Sequence, residues 1–258
     1  MHPLDRVKEV LALVDEGRTA SEIARLTGLP RTTVRDWKNG ALPRQSIISP
    51  DRRACRQCGG AAHPVADYPA AYMYLLGVYL GDGCISAHRR GVYRLRLFLD
   101  AGYPRIIAGC EAAIRTVCPA NKIGRRMRSG GFPNSAQSSN VELSVYSRSW
   151  PCLFPQHGPG CKHERPIVLA DWQRTLLETD PEALLRGLIH SDGCRFINTG
   201  TNWSHPRYSF SNASADIRGI FCDACGVLGD HWTEAPRTVY VSRKRDVARL
   251  DEFIGPKA

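Results

Sequence analysis

The segment Leu75-Leu-Gly-Val-Tyr-Leu-Gly-Asp82-Gly-Cys84 recurs in the second half of the chain as Leu185-Arg-Gly-Leu-Ile-His-Ser-Asp192-Gly-Cys194. Both segments are apolar, carry small residues one helical turn apart and contain Asp-Gly near their end. The small positions are Gly77 with Gly81 and Gly187 with Ser191. Because small residues at this spacing form a flat stripe on one helical face, the segments are predicted to be helices that pack side by side with close backbones. Asp82 and Asp192 are then neighbours at the two helix ends.

The residues after each motif show the same order of patterns, which indicates an internal duplication. Alternation of apolar and polar residues predicts strands, and a helical period predicts helices at residues 104–117 and 215–228. Each copy is predicted to run helix-strand-strand-helix-strand-strand, with a further helix that closes it. The predicted fold class is therefore α+β with two pseudo-twofold repeats, at residues 70–160 and 161–258.

Two carboxylates at neighbouring helix ends repel each other and face the negative ends of two helix dipoles. A hard divalent cation, Mg²⁺ or Mn²⁺, relieves that repulsion and suits phosphodiester hydrolysis. Asp82 and Asp192 are predicted as metal ligands and catalytic residues, with Lys244 as a basic residue near the scissile phosphate. Asp100 and Asn212 end equivalent strands and either orient water or cap turns. The alternative for the two motif acids is a pair of helix-terminal turns without chemistry.

The segments LLGVYLGDG and LRGLIHSDG resemble the paired motifs of the LAGLIDADG homing endonucleases, and the similarity extends through both repeats, roughly residues 70–255. In that family the motif helices form the interface between two halves, and the last acidic residue of each motif binds metal and drives cleavage. The resemblance implies these roles for Asp82 and Asp192, although Leu80 and His190 replace an earlier motif acid. It also implies the αββαββα fold twice, in a monomer with internal pseudo-twofold symmetry like the family's single-chain members.

Residues 1–40 are predicted to form three short helices with their own apolar core. Thr19 and Glu22 have the spacing of a capping box, and Gly28 supplies a tight turn before the third helix. This order is typical of a helix-turn-helix, and the segment resembles the helix-turn-helix domains of resolvases and many bacterial regulators. The residues of the third helix that suit contacts with DNA are Arg31, Thr32, Thr33, Arg35 and Lys38. The alternative is a three-helix mini-domain whose charged face contacts solvent.

The chain has 35 Lys and Arg against 25 Asp and Glu, and its formal charge of +10 favours a polyanionic partner. Alternation along the predicted strands places apolar residues on one sheet face and basic or hydrogen-bonding residues on the other. A curved sheet with such a face can lie in a major groove. The residues predicted to contact double-stranded DNA are Arg94, Arg96, Lys122, Arg126, Arg128, Ser144, Tyr146, Arg207, Tyr240 and Ser242. The alternative is a sheet face that contacts only solvent.

Residues 41–69 are predicted to be a linker that contains part of a zinc site. Cys55 and Cys58 have the Cys-x-x-Cys spacing of two ligands of one tetrahedral zinc ion, and His63 is a candidate third ligand. The fourth ligand is not nearby in the sequence. The distant candidates are His157, Cys161 and His163. The alternative is a pair of unliganded thiols in a loop.

The chain has no apolar stretch of transmembrane length and its first residues lack a secretory signal, so a cytoplasmic, nucleoid-associated protein without a membrane partner is predicted. The predicted function is metal-dependent, site-specific cleavage of double-stranded DNA, with the helix-turn-helix as an added reader. One alternative is a transcription regulator that binds DNA without cutting it. The chain resembles in this respect a bacterial sporulation regulator family, which combines a helix-turn-helix with a degenerate LAGLIDADG domain. Another alternative is an RNA-splicing maturase.

Overall fold

The computed structural model describes residues 4–40, 55, 63–129, 139–255 and 257. Residues 1–54 and residues 55–258 belong to two compact units. Among the described helices, none combines the length and the apolar character that crossing a membrane requires.

The N-terminal unit is a bundle of three short helices, as the sequence predicts. They are α1 (Leu4–Asp15), α2 (Ala20–Thr27) and α3 (Arg31–Lys38). Thr19 and Glu22 form the predicted capping box, in which the Thr19 amide donates to the Glu22 carboxylate over 2.8 Å. Gly28 has the left-handed conformation, with φ of 68°, that ends α2. Ile23 and Val34 are fully buried, so this unit has a core of its own.

The larger unit contains two copies of one order of helices and strands. The first copy consists of α4 (Pro69–Asp82), β1 (Gly83–Ala87), β2 (Tyr93–Asp100), α5 (Pro104–Val117), β3 (Ile123–Ser129), β4 (Ser139–Ser147) and α6 (Trp150–Leu153). A further helix, α7 (Asp171–Thr179), precedes the second copy. The second copy consists of α8 (Pro181–Asp192), β5 (Gly193–Gly200), β6 (Trp203–Ser211), α9 (Ala215–Leu228), β7 (Trp232–Ala235), β8 (Thr238–Val241) and α10 (Lys244–Ile254). The predicted α+β class and the duplicated order are confirmed.

Each copy folds its four strands into one antiparallel sheet. The strand orders are β1-β2-β4-β3 and β5-β6-β8-β7, so the two sheets have equivalent topology. One face of each sheet packs on a shared core, to which Leu95 and Leu97 contribute from the first sheet and Phe210 and Val241 from the second. The other face carries the polar and basic residues of the alternation.

The helices α4 and α8 pack against each other through their small residues. A Cβ on Gly77 would lie 2.6 Å from the carbonyl oxygen of Leu184 and 2.8 Å from the amide nitrogen of Leu188. A Cβ on Gly187 would overlap the carbonyl oxygen of Tyr74. Because backbone atoms cannot rotate away, only glycine permits this approach. The small-residue stripe is therefore the seam between the two repeats, and it holds the C-terminal ends of both helices together.

His190 is a buried link between α4 and α10. Its Nδ1 lies 3.0 Å from the hydroxyl of Tyr74, and its Nε2 lies 3.0 Å from the carbonyl oxygen of Ile254. Since a carbonyl oxygen only accepts, Nε2 carries the proton and the Tyr74 hydroxyl donates to Nδ1. Burial lowers the pKa of His190 to about 4, so the imidazole is neutral at neutral pH. The histidine thus satisfies two buried polar groups without adding a charge to the seam.

The second copy departs from the predicted pattern at the end of its last strand. Alternation predicts a strand as far as Lys244, but β8 ends at Val241 and Lys244 begins α10. Val247 and Leu250 have helical spacing and are both buried. Their packing favours a helix from Lys244 onward, although the alternating pattern that predicts a strand continues to that residue. Ser242 and Lys244 therefore lie outside the strand, and both are exposed.

Replacing Gly187 with Ala is expected to lower the free energy of unfolding of the larger unit by about 2 kcal/mol, because the added methyl group overpacks a backbone contact. The matched control is Gly219→Ala in α9, where an added Cβ meets no atom within 4 Å. Alanine there favours the helix by up to about 1 kcal/mol. Urea denaturation followed by circular dichroism measures both variants. Equal stability of the two would contradict the close contact at the seam.

Candidate functional site

The two motif acids lie together at the C-terminal ends of the seam helices. Asp82 is the last residue of α4, and Asp192 is the last residue of α8. A Cβ on Gly81 would lie 3.0 Å from Oδ2 of Asp192 and would overlap the side chain of Ser191. Helix packing alone therefore brings both carboxylates to one place.

The glycines after the motif acids are needed for a reason that the sequence does not reveal. The sequence predicts them as helix-ending residues, but both have extended backbone, with φ of −100° at Gly83 and −111° at Gly193. A Cβ on Gly83 would lie 2.6 Å from Cα of Tyr79, and one on Gly193 would lie 2.8 Å from Cα of Ile189. Glycine is required here because the first residue of each strand passes closely over the preceding helical turn.

Both motif carboxylates are partly withdrawn from water. Burial, and after it the neighbouring charge of Asp192, raise the pKa of Asp82 to about 6. Burial also raises the pKa of Asp192, against a hydrogen bond from Asn212 that lowers it. Each carboxylate is thus a poorly solvated anion beside another, and a cation stabilises such a pair.

Two lysines cap the motif helices in equivalent ways. The amine of Lys162 donates, at 2.6 to 2.9 Å, to the carbonyl oxygens of Tyr79, Gly81 and Gly83. The amine of Lys257 donates to the matching positions of the second motif, the carbonyl oxygens of Ser191 at 3.5 Å and Gly193 at 2.5 Å. Cations at helix C-termini offset the dipole and satisfy carbonyl groups that have no partner in the helix.

The same two amines interact with the motif carboxylates. Burial lowers the pKa of Lys162 to about 8, although the charges of Asp192 and Asp82 oppose that change. Burial lowers the pKa of Lys257 as well, and the same two carboxylates oppose it. The site is therefore a group of two acids and two amines with mutually dependent charges.

Sequence reasoning missed these lysines because they lie outside the duplicated pattern. Lys162 belongs to the connection between the copies, and Lys257 follows α10. The predicted basic residue, Lys244, is exposed at the start of α10, and its role near the scissile phosphate stays a prediction. Among the described residues, the lysine amines that affect the motif carboxylates belong to Lys162 and Lys257.

Asp100 and Asn212, which end equivalent strands in the sequence pattern, have different roles. Asn212 Nδ2 donates to Oδ2 of Asp192 over 2.6 Å, and therefore orients a motif acid. Asp100 instead accepts the backbone amide of Gly102 over 2.8 Å and caps a turn. The two halves of the site are consequently not identical.

The motif acids fit a hard divalent cation. Carboxylate oxygens are preferred ligands of Mg²⁺ and Mn²⁺, and two partly desolvated carboxylates at adjacent helix C-termini create a negative potential. The backbone carbonyl groups at the helix ends already accept hydrogen bonds from lysines. The ligands that this part of the chain offers are therefore the side-chain oxygens of Asp82 and Asp192.

The polar face of the first sheet carries arginines grouped around a buried carboxylate. Glu142 is 1% exposed and accepts from Arg94 over 2.6 Å and from Arg128 over 2.5 Å. Ser144, which the alternation predicts as a surface residue, is also buried and accepts from Arg94 over 3.2 Å. The guanidinium groups lie across the strands and cover the residues between them, so alternation alone does not predict exposure on this face.

Other residues of this face are exposed, or half-buried in the case of Arg96. Arg96 lies opposite Ser144 and Arg126 lies opposite Glu142 in the sheet. Neither arginine forms an ion pair within the described part of the chain. Tyr146 is 41% exposed. Lys122, predicted as part of β3, is exposed immediately before that strand.

The corresponding face of the second sheet is polar but less charged. Arg207 lies 4.0 Å from the centre of the Tyr240 ring and donates to Ser242 over 2.6 Å. Arg195, by contrast, lies on the opposite face and forms an ion pair with Asp251 at 2.6 Å. The positive charge of the polar faces is thus concentrated on the first repeat.

The third helix of the N-terminal unit presents most of its predicted contact residues to solvent. Val34 and Trp37 are buried and pack α3 onto the bundle. Thr33 is half-buried. The exposed members of the predicted set are Arg31, Thr32, Arg35 and Lys38.

A second candidate metal site lies at the start of the larger unit. One ligand atom from each of Cys55, His63 and Cys152 lies within 4.8 Å of the other two. Cys55 and His63 belong to the predicted zinc site, whereas Cys58 lies outside the described residues. Sequence reasoning missed Cys152 because it is far away in the chain and belongs to no spacing motif.

The residues that the sequence offers as a distant zinc ligand are placed elsewhere. Cys161 and His163 group with Glu164, and all three are exposed. His157 packs edge-on against the ring of Tyr93, with 5.6 Å between ring centres. None of them belongs to the described group around Cys55.

No family model and no curated protein matches the chain. Among solved structures, it is similar to the homing endonuclease I-WcaI bound to its DNA recognition sequence, with 11% identity over 82% of this chain and 91% of that chain and a TM-score of 0.48. Full-length DUF199/WhiA from Thermatoga maritima is 12% identical over 72% of this chain, with a TM-score of 0.45, and the match spans only 55% of that protein. The N-terminal LAGLIDADG domain of DUF199/WhiA is 14% identical over 74% of this chain and 83% of that chain, with a TM-score of 0.44. At these identities the similarity concerns the fold alone.

In metal-free protein the carboxyl group of Asp82 is expected to titrate with a pKa of about 6. Asp192→Asn removes a neighbouring negative charge and lowers that pKa, whereas Lys162→Met removes a positive charge and raises it, each by about one pH unit. The exposed Asp223 in α9 provides the control, and Asp223→Asn leaves the pKa of Asp82 unchanged. Carboxyl-carbon NMR measures all four proteins. A pKa of Asp82 that does not respond to Asp192→Asn would show that the two carboxylates are not neighbours.

Proposed function

We propose that this protein is a metal-dependent endonuclease that cleaves double-stranded DNA at a specific site. The observation that carries the proposal is the meeting of Asp82 and Asp192 at the seam, beside the polar sheet faces. The first strand begins directly after Asp82, and its Cys84 lies opposite Arg96 of the basic face. In the second copy, β5 likewise begins directly after Asp192, and its Cys194 lies opposite Ser209. A phosphodiester bound on these faces therefore lies close to the two acids.

The polar sheet faces are proposed to bind the DNA major groove. The first sheet supplies positive charge through Arg96 and Arg126, which no described carboxylate neutralises, and these suit phosphate and guanine contacts. Glu142 holds Arg94 and Arg128 in fixed positions, which lowers the side-chain entropy lost when they bind. The second sheet supplies mainly hydroxyl groups and one arginine.

The chemistry is proposed to take place at the seam. Asp82 and Asp192 would hold Mg²⁺ or Mn²⁺, and such an ion would activate water and stabilise the leaving oxygen. Lys162 and Lys257 hold the helix ends and reduce the negative potential that the scissile phosphate meets. Asn212 fixes the orientation of the Asp192 carboxylate through one hydrogen bond.

The protein is proposed to act as a monomer. The small-residue stripe of α4 is covered by α8 of the same chain, with backbone contacts at Gly77 and Gly187. The site is therefore completed without a second copy, and the pseudo-twofold repeat supplies the two halves that read the two sides of the DNA site.

A DNA-binding regulator that does not cut is the second candidate function. It is favoured by the N-terminal unit, in which α3 exposes Arg31, Arg35 and Lys38 on one compact helical module. Such a helix suits the major groove in either function. The candidates differ in what happens to bound DNA once a divalent cation is added.

Asp82→Asn and Asp192→Asn are each expected to reduce cleavage by roughly 100-fold or more. Both variants are expected to bind the same duplex at least as tightly as the wild type, because each removes a negative charge close to the phosphate. The target is selected from a random duplex pool and then incubated with Mg²⁺ or Mn²⁺, and Asp223→Asn serves as the control with wild-type rate. Tight binding by wild-type protein with both strands left intact in either metal would establish the regulator instead.

Arg96→Ala and Arg126→Ala are each expected to weaken DNA binding. The negative slope of the logarithm of the binding constant against the logarithm of salt concentration is expected to become less steep, by about 0.9 for every phosphate that the variant no longer neutralises. The matched control is Arg195→Ala, which changes the same residue type on the opposite sheet face and leaves the slope unchanged. Fluorescence anisotropy at several salt concentrations measures the slope. If Arg96→Ala and Arg126→Ala have the same slope as the wild type, the polar face of the first sheet does not contact DNA.

A further inference from the structure

Two thiols and one imidazole meet in the larger unit, away from the motif acids. Cys55 lies at the start of this unit, His63 lies shortly before α4, and Cys152 lies in α6 after the first sheet. One ligand atom from each lies within 4.8 Å of those of the other two. Neither the proposed cleavage nor the proposed DNA contacts use these residues.

The separation of the three ligand atoms is close to that of a zinc site. Zinc bonds of about 2.3 Å to sulfur and about 2.0 Å to nitrogen, at tetrahedral angles, place ligand atoms roughly 3.4 to 3.8 Å apart. Atoms already within 4.8 Å of one another reach this spacing by small side-chain adjustments. Thiolate and imidazole are also the ligand types that zinc prefers over the hard cations expected at Asp82 and Asp192.

The surroundings of Cys152 hold it in a fixed position. The neighbouring Leu153 carbonyl accepts from the hydroxyl of Tyr72 in α4 over 2.5 Å. The indole of Trp150 donates to the carbonyl oxygen of Val145 over 2.9 Å. The helix α6 is thus tied both to α4 and to the last strand of the first sheet. The exposed group of Cys161, by comparison, lies in a short connecting segment.

We propose that Cys55, His63 and Cys152 supply three of the ligands of one structural zinc ion. The ion joins the segment that precedes α4 to the helix that follows the first sheet, and so fixes the point at which the first motif helix begins. It is structural because α4, with 14 residues, spans about 21 Å, and Asp82 lies at its far end. Zinc binding closes a large chain loop and therefore contributes to the stability of the first repeat.

The first test uses the unmodified full-length protein. After dialysis against buffer with zinc and then without it, elemental analysis is expected to find close to one zinc ion per chain. Alkylation with iodoacetamide, followed by peptide mass spectrometry, is expected to leave Cys55 and Cys152 protected until a chelator is added. Cys161 and Cys194, both exposed, serve as internal controls that react with or without chelator. Absence of zinc, or equal reaction of Cys152 with and without chelator, overturns the proposal.

The second test uses matched cysteine variants. Cys152→Ser is expected to lower zinc affinity at least roughly tenfold, whereas Cys161→Ser retains the zinc content of wild type. Cobalt(II) substitution adds a spectroscopic measure, since loss of one thiolate ligand weakens the sulfur-to-cobalt absorption band. Unchanged zinc affinity and an unchanged cobalt band in Cys152→Ser overturn the proposal, as does loss of zinc from Cys161→Ser. If Cys152→Ser does not fold, chelator-dependent alkylation of the unmodified protein decides the question.

Discussion

The close backbone contact between α4 and α8 is the constraint on which the rest of the molecule depends. Gly77 and Gly187 allow each helix to approach backbone atoms of the other that any larger side chain would displace. Because both motif helices end at this contact, their terminal acids are placed beside each other. The position of the two acids is therefore a result of helix packing, whereas the two lysines reach the site from segments outside these helices.

This contact carries an electrostatic cost that the chain offsets with two amines. Burial raises the pKa of both acids, and the neighbouring charge of Asp192 raises that of Asp82 further. Lys162 and Lys257 reduce the repulsion, and they do so from equivalent positions at the ends of the two motifs. Their charges partly neutralise the acids without occupying the carboxylate oxygens through any described hydrogen bond. A divalent cation would add to this partial neutralisation.

The sequence predicts those parts of the structure for which it contains a duplicated motif or a periodic pattern of residues. The duplicated motif predicts the seam, the paired acids and the order of helices and strands, and the capping box at Thr19 predicts where α2 begins. It does not predict Lys162, Lys257 or Cys152, since each lies in or after the closing helix of a copy, outside the repeated motif and the alternating strands. Alternation correctly assigns Ser144 and Glu142 to the polar face, but it cannot show that arginines from neighbouring strands cover them. Lys244 is predicted to end a strand but begins a helix, because the helical packing of α10 begins where the strand pattern still continues. The roles of the site residues in binding and cleavage remain predictions.

The seam is expected to bring two acids from different repeats to one metal site. Anomalous diffraction from a crystal soaked in Mn²⁺ tests it most directly, because the anomalous signal locates the ion independently of the protein coordinates. A manganese peak is expected at the C-terminal ends of α4 and α8, within coordination distance of both Asp82 and Asp192, about 2.0 to 2.3 Å from a carboxylate oxygen of each. Manganese bound at other carboxylates of the chain, with no peak between these two acids, would contradict it.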